Sequence, residues 1–189
     1  MTSFVYGLSD KALRSGLDLS GKTFDEHSER TLDHELEISY FHIELKKLCA
    51  KQGWELYWQQ KDLKCTISPD TYFAITKPKG TFHFFVEVER AKIGNYKNGE
   101  PSIMRKLSKY YDYYNSDQCQ KEWNFRLFRT IVIQRTDERR DNLLKAATSQ
   151  FNHRTFWLTT EPLYKQHVGA EIFKTPKDYE QRSYSFLDI

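Results

Sequence analysis

The segment TISPDTYFAITKPKGTFHFFVEVE, residues 66–89, carries the clearest structural signal in the chain. Its two ends, 66–76 and 81–89, are rich in β-branched and aromatic residues, which predicts two strands. The KPKG sequence at 77–80 predicts a tight turn between them. We therefore expect an antiparallel hairpin at this place in the chain.

Three acidic residues lie at the open end of the predicted hairpin. If Thr76 pairs with about Thr81, Asp70 comes close to Glu87. Glu87 and Glu89 share a face of their strand, about 7 Å apart, because alternate strand residues point the same way. Carboxylates on one face repel one another unless a cation lies between them, and hard oxygen ligands suit Mg²⁺ or Mn²⁺. The acids therefore predict a metal site, with a solvated acidic strand face as the alternative.

Helices and further strands are predicted on both sides of the hairpin. Apolar residues recur at steps of three and four from His34 to Leu48, which predicts a helix that ends near Gly53. The order α-β-β-β-α-β-α-β predicts an α/β fold with a mixed central sheet flanked by helices. The remaining predicted elements are loop before Asp33, strands at 54–60, 128–134 and 155–160, a helix with the core residues Ile103, Leu107, Tyr110, Tyr111 and Tyr114, a helix capped by Thr136 that runs to about Gln150, and irregular chain from Pro162 onward.

Composition excludes several classes of protein. The 189 residues fit one domain with tails, and the 15% of aromatic residues can fill a core. No stretch approaches the ~20 apolar residues of a membrane span, and no secretory signal is evident. The lack of such a stretch predicts no membrane partner, and the three widely spaced cysteines without a zinc motif predict a reduced, cytoplasmic protein. Dinucleotide and P-loop motifs are absent from the sequence, and the net charge of +3 permits nucleic-acid binding without requiring it.

The acidic motif resembles that of the PD-(D/E)XK nuclease superfamily. The resemblance rests on Pro69-Asp70, on Glu87-x-Glu89 and on the α-β-β-β-α-β order. It implies a restriction-endonuclease-like core. The sequence departs from the motif at Glu89, where these nucleases usually have a lysine that orients water. The resemblance allows Lys106, on the following helix, to supply that lysine, although a solvated surface lysine is the alternative.

A narrower resemblance is to the replication-relaxation family, which is similar to MobC-type plasmid relaxases. The segments that carry it are 34–58, 68–75, 84–92 and 105–114, and the whole match covers about 31–177. It implies an N-terminal arm at 1–30, a PD-(D/E)XK-like domain at 31–177 and a C-terminal tail at 178–189. Members often carry an N-terminal winged helix, for which the residues before His34 leave no room. The positions that match family residues are His34, Asp70, Glu87, Glu89, Arg90 and Lys106.

These resemblances imply a metal-dependent DNA endonuclease or nickase that acts on plasmid or mobile-element DNA. The expected partners are DNA and other replication or mobilisation proteins, and the expected cofactor is Mg²⁺ or Mn²⁺. The implied catalytic residues are Asp70, Glu87, Glu89 and Lys106, and the implied metal ligands are Asp70, Glu87 and a first-helix acid, Glu37 or Glu35. The implied DNA-binding residues are His34, Arg90, Lys92, Lys97, Arg105 and Lys109.

Two alternatives stay open at this point. Tyr113 lies seven residues after Lys106, on its side of the predicted helix, and could attack the phosphate in place of water. A catalytically silent DNA-binding or protein-interaction module on the same fold is the alternative function. The glutamate at position 89, in place of the usual lysine, favours that second alternative.

Overall fold

The structure is a computed structural model that describes residues 26–60, 63–89 and 102–189, with side chains at 32–60, 63–89 and 103–189. The chain divides into two units, Met1–Asp33 and His34–Ile189. All features below belong to the second unit, apart from the first turns of a helix that begins at Glu26.

A five-stranded mixed sheet forms the centre of the second unit. Its strands lie in chain order, with β1–β2–β3 antiparallel and β3–β4–β5 parallel. The predicted α/β class with a mixed sheet is therefore confirmed. The strands are β1 (Glu55–Gln59), β2 (Thr71–Lys77), β3 (Gly80–Glu89), β4 (Phe128–Gln134) and β5 (Phe156–Thr160).

The β2–β3 hairpin has the predicted register, since Thr76 pairs with Thr81. The prediction is wrong at the start of β2, where residues 66–70 lie outside the strand. Pro69 has no backbone N–H to give to a ladder, and the Asp70 amide instead donates to the Val86 carbonyl at 3.0 Å. Asp70 therefore lies immediately before β2, at the end of the hairpin that is farthest from the turn.

The helices match the predicted elements with three corrections. The first helix begins at Glu26, within residues predicted as loop; a short helix follows the second; and a helix at Glu161–His167 begins where irregular chain was predicted. Pro162 stands at the first turn of that last helix, where a missing N–H costs nothing. The helices are α1 (Glu26–Gln52), α2 (Ser102–Asn115), α3 (Gln118–Trp123), α4 (Asp137–Thr148), α5 (Glu161–His167) and a 3₁₀ turn (Phe186–Asp188).

Helices cover the sheet on both faces, so the central strands are apolar on both sides. On one face, Phe41 and Leu45 of α1 pack in the same cluster as Phe84 of β3. On the other, Leu107 of α2 packs in a cluster with Phe85. Glu87 lies on the second face, in a strand whose neighbouring residues are all buried.

The C-terminal residues complete the first of these cores. Phe186, within residues 178–189 that were predicted as a tail, is 0% exposed and contacts Phe84 edge-on at 5.5 Å between ring centroids. The Lys77 ammonium donates to the backbone carbonyls of Phe186 and Ile189, and it lies 3.8 Å from the centre of the Trp54 ring. The chain end is therefore held to the hairpin turn by both apolar and polar contacts.

This packing predicts that Phe186→Ala destabilises the protein by about 3–5 kcal/mol, because it removes a fully buried ring. Leu187→Ala is the matched control, since Leu187 is 52% exposed, and we expect a change within about 0.5 kcal/mol. Urea unfolding followed by circular dichroism measures both values. Equal effects of the two substitutions would show that the chain end does not pack as described.

Candidate functional site

Asp70 and Glu87 meet where β2 and β3 diverge. Thr71 pairs with Val86, which places Asp70 across from Glu87, as the hairpin predicts. The Val88 amide donates to Asp70 Oδ2 at 2.7 Å, so the carboxylate is fixed to the neighbouring strand. Asp70 also repels the charged form of Glu87 and helps to raise its pKa. The hairpin therefore holds two carboxylates within electrostatic reach of each other.

His34 of α1 supports Asp70. Its Nε2 lies 3.1 Å from Asp70 Oδ2, and both side chains are mostly buried. The hydrogen bond to Asp70 raises the pKa of His34 against the opposing effect of burial. Burial alone would raise the pKa of Asp70, but the bonds from His34 and the Val88 amide outweigh it and lower that pKa. Asp70 is thus held in its charged form.

Glu87 has the opposite environment. Its side chain is 2% exposed, and its two oxygens accept hydrogen bonds from Lys106 at 2.5 Å and from Tyr110 at 2.7 Å. Burial, together with repulsion from Asp70, raises the pKa of Glu87 to about 7 in spite of those bonds. Glu87 therefore changes charge near neutral pH, where Asp70 remains ionised.

Lys106 places a positive charge beside these carboxylates. Its side chain is 46% exposed and comes from the first turns of α2, as the sequence predicted for a substitute lysine. Burial lowers the pKa of Lys106, but Glu87, Asp70 and Glu89 outweigh it and raise that pKa. Within the described residues, no group of three or more His, Cys, Asp or Glu side chains forms a metal-binding arrangement. Lys106 thus supplies positive charge beside the two acids, and the metal ion that the sequence predicts there stays a prediction.

The other predicted site residues lie on β3, on α2 or outside the described part of the chain. Glu89 is the last residue of β3 and pairs in register with Gln134 of β4. Arg105 and Lys109 are exposed on α2, on either side of Lys106 in the sequence. Arg90, Lys92 and Lys97 lie outside the described residues.

Glu37, the predicted third metal ligand, has its own set of contacts on α5. It is 3% exposed, accepts a hydrogen bond from Tyr164 and lies 3.1 Å from the Lys165 ammonium. Burial raises the pKa of Glu37 although both bonds oppose that change. These contacts provide a structural role for Glu37, and its role as a metal ligand stays a prediction.

The tyrosine of α2 that lies at the candidate site is not the one that the sequence predicted. Tyr113 was the candidate nucleophile, but it is 4% exposed and donates to Glu122 at 2.6 Å. Burial and that bond raise the pKa of Tyr113, so the phenolate needed for attack is disfavoured. Tyr110 is the tyrosine that donates a hydrogen bond to Glu87. Its spacing of four residues from Lys106 was the signal for this, because such residues share a helix face.

Comparison with models of protein families assigns the chain to one family. The model of the family described as replication-relaxation matches residues 2–126. The chain belongs to the replication-relaxation family. This membership indicates a role in the replication or relaxation of plasmid or mobile-element DNA, with DNA or replication proteins as partners. Neither a curated protein nor a solved structure matches the chain.

The replication-relaxation match includes the hairpin and α2 and ends before β4. His34, Asp70, Glu87 and Lys106 therefore all lie in the matched part of the chain. No helix in the described part of the chain is long and apolar enough to cross a membrane.

The environment of Glu87 predicts a pH-dependent stability. The pKa of Glu87 is raised from 4.5 to about 7 in the folded state, so the folded state binds this proton more tightly than the unfolded state does. The resulting stabilisation of the fold is fully present below pH 4.5 and is lost as the pH rises through 7. Relative to Glu87→Gln, the wild-type protein should lose about 3 kcal/mol of unfolding free energy between pH 4.5 and 8. Urea unfolding of both proteins across this range measures the difference.

The control for this experiment is Glu55→Gln, which removes a carboxylate exposed on β1. Its stability should follow the wild-type protein at every pH. Parallel curves for wild type and Glu87→Gln would contradict the raised pKa.

Proposed function

We propose that the His34–Asp70–Glu87–Lys106 cluster is the phosphodiester-cleaving centre of a metal-dependent DNA nickase. The observation that carries the proposal is the buried Glu87 carboxylate, held next to Asp70 and bonded to the half-exposed Lys106. Two carboxylates can hold a metal ion that activates water, and a lysine can stabilise the charge that develops on a phosphate, so these groups suit the hydrolysis of a phosphodiester. Membership of the replication-relaxation family supports DNA as the substrate.

We further propose that the core has the PD-(D/E)XK arrangement. The proposal is supported by α1, by the meander β1–β2–β3 and by α2 followed by the parallel strand β4. Asp70 and Glu87 lie at the motif's two acidic positions. Lys106 takes the place of the lysine that position 89 lacks.

The donor set fits a divalent cation. Asp70 and Glu87 offer only hard oxygen atoms, and Mg²⁺ is commonly held by one or two carboxylates while it keeps several waters. The repulsion between the two acids would be relieved by such an ion, as it is now relieved by Lys106. When bound, Mg²⁺ or Mn²⁺ polarises the phosphate and lowers the pKa of water.

Each protein residue then has a distinct task. His34 keeps Asp70 ionised and oriented, and Tyr110 orients Glu87 through Oε1. The Lys106 ammonium lies next to the acids on a partly exposed side chain, so it can turn to a phosphate oxygen and stabilise the charge that develops there. Arg105 and Lys109 are exposed on the same helix and can contact the DNA backbone.

The proposal predicts nicking of supercoiled plasmid in Mn²⁺ or Mg²⁺ that EDTA abolishes. Asp70→Asn should lower the rate at least about 10²-fold by removing a metal ligand. Lys106→Met should lower it by about 10²–10³-fold, because it removes a donor to the transition state. Agarose-gel assays of initial rates with single- and double-stranded DNA measure these effects.

Lys109→Met is the matched control, since it removes an exposed lysine from the same helix. It should weaken DNA binding slightly and leave the rate within a few-fold of wild type. Nicking that persists in Asp70→Asn would contradict the assignment of the centre.

A catalytically silent DNA-binding or interaction module is the second candidate. Two observations favour it: Glu89 stands where the related motif has lysine, and both oxygens of Glu87 already accept protein hydrogen bonds. Metal binding separates the two candidates, because a ligand that binds only the folded state raises its stability.

For the nickase, 5 mM Mn²⁺ should raise the melting temperature of wild type and not that of Asp70→Asn. Differential scanning fluorimetry with Ca²⁺ and EDTA as comparisons measures this shift. An equal shift, or none, in both proteins would favour the silent module.

A further inference from the structure

Gln134, the last residue of β4, has a buried side-chain amide without a partner. The residue is 4% exposed, and its Nε2 lies within 3.5 Å of no acceptor suited to a hydrogen bond in the part of the chain that the structure describes. Leaving a buried donor unpaired costs about 1–3 kcal/mol. Such a group in a folded protein therefore calls for an explanation, for which a bound water or a role at a site are the usual ones.

The register of the parallel strands places this amide beside the candidate centre. Gln134 pairs with Glu89, and Val132 pairs with Glu87. Register partners in neighbouring strands point to the same face, about 4.8 Å apart. Gln134 therefore lies on the face of the sheet that carries Glu87 and Glu89, in the row that ends the parallel strands.

Side chains on one face of two paired strands lie close enough for one water molecule to bridge them, and Gln134 and Glu89 are such a pair. A water that accepts a hydrogen bond from Gln134 Nε2 and donates one to the Glu89 carboxylate needs about 2.8–3.0 Å to each atom. Two polar groups on adjacent strands can satisfy both distances at once.

We propose that Gln134 is a positioning residue that holds the attacking water of the cleavage reaction against Glu89. This inference rests on the proposed nickase function. It also accounts for Glu89, because a glutamate cannot donate a hydrogen bond to water as lysine does, and Gln134 supplies that donor from the next strand.

The step that this pair would assist is a balanced hydrolysis. The water oxygen gives an electron pair to phosphorus, and one water proton passes to the Glu89 carboxylate. The bond from phosphorus to the leaving sugar oxygen breaks with its electron pair, and that oxygen takes a proton from solvent. Gln134 stays unchanged and only orients the water oxygen.

The test is Gln134→Met, which keeps the shape of the side chain and removes the amide. Single-turnover nicking in Mn²⁺ should fall about 10²-fold, while the DNA concentration for half-maximal rate changes by less than threefold. The melting temperature should change little, because the substitution keeps the shape of the side chain and Gln134 Nε2 donates no hydrogen bond to a protein group within the described residues. DNA affinity measured by fluorescence anisotropy in EDTA should not change.

Thr159→Val is the matched control. The Thr159 hydroxyl is also buried and unpaired within the described residues, but it pairs in register with Ile133 and belongs to the opposite face of the sheet. Its removal should leave nicking unchanged and should not lower the melting temperature. The two variants thus separate the loss of a buried donor from the loss of a site residue.

The outcomes distinguish this inference from the proposed function. If wild type nicks DNA and Gln134→Met nicks it at the same rate, the inference is wrong and the nickase proposal stands. A lower melting temperature with reduced DNA affinity in Gln134→Met would assign the amide a structural role and overturn the inference. A wild-type protein that nicks no substrate would contradict both.

Discussion

The Glu87–Lys106 ion pair is the contact on which the rest of the site depends. Glu87 projects from a central strand into a face that α2 covers, so its charge is largely removed from water. An isolated carboxylate in such a place would be neutral, because burial without a partner costs several kcal/mol. Lys106 and Tyr110 reach it from successive turns of one helix, and the position of α2 over the sheet is therefore tied to the chemistry of the strand.

The two acids of the pair are held in different protonation environments. Asp70 receives bonds from His34 and a backbone amide, and its pKa is lowered. The pKa of Glu87 is raised to about 7 by burial and by the charge of Asp70. Neighbouring carboxylates whose pKa values are pushed apart are typical of acid–base sites, since one remains charged while the other exchanges a proton near neutral pH.

Much of this arrangement could be predicted from the sequence, because its signals were local. The KPKG turn fixed the hairpin register, and with it the approach of Asp70 to Glu87. The resemblance to the nuclease motif pointed to Lys106 in place of the absent lysine at position 89; the structure places Lys106 beside Glu87, and its catalytic role stays a prediction. The repulsion of the acids also predicted a metal site, which stays a prediction, and the strand pattern alone could not show that Lys106 bonds directly to Glu87.

The remaining differences arise from tertiary contacts. Residues after Pro162 lack a clear period, yet Phe186 reaches the core through contacts with distant strands. Tyr110 and Tyr113 both fit a helix stripe, and only the position of α2 on the sheet decides that Tyr110 meets Glu87 while Tyr113 meets Glu122. Spacing along a helix predicts which residues share a face, but it does not say what that face contacts.

The charged residues of the candidate site and Gln134 lie in different parts of the chain relative to the family match. His34, Asp70, Glu87 and Lys106 lie within residues 2–126, which the family model matches. Gln134 belongs to β4, beyond that match, and comes to the same face only because β4 is parallel to β3. The charged groups and the buried amide are therefore carried by different parts of the chain. If Gln134 has the role proposed above, a change in β4 alters how water is held while the carboxylate pair and its lysine stay intact.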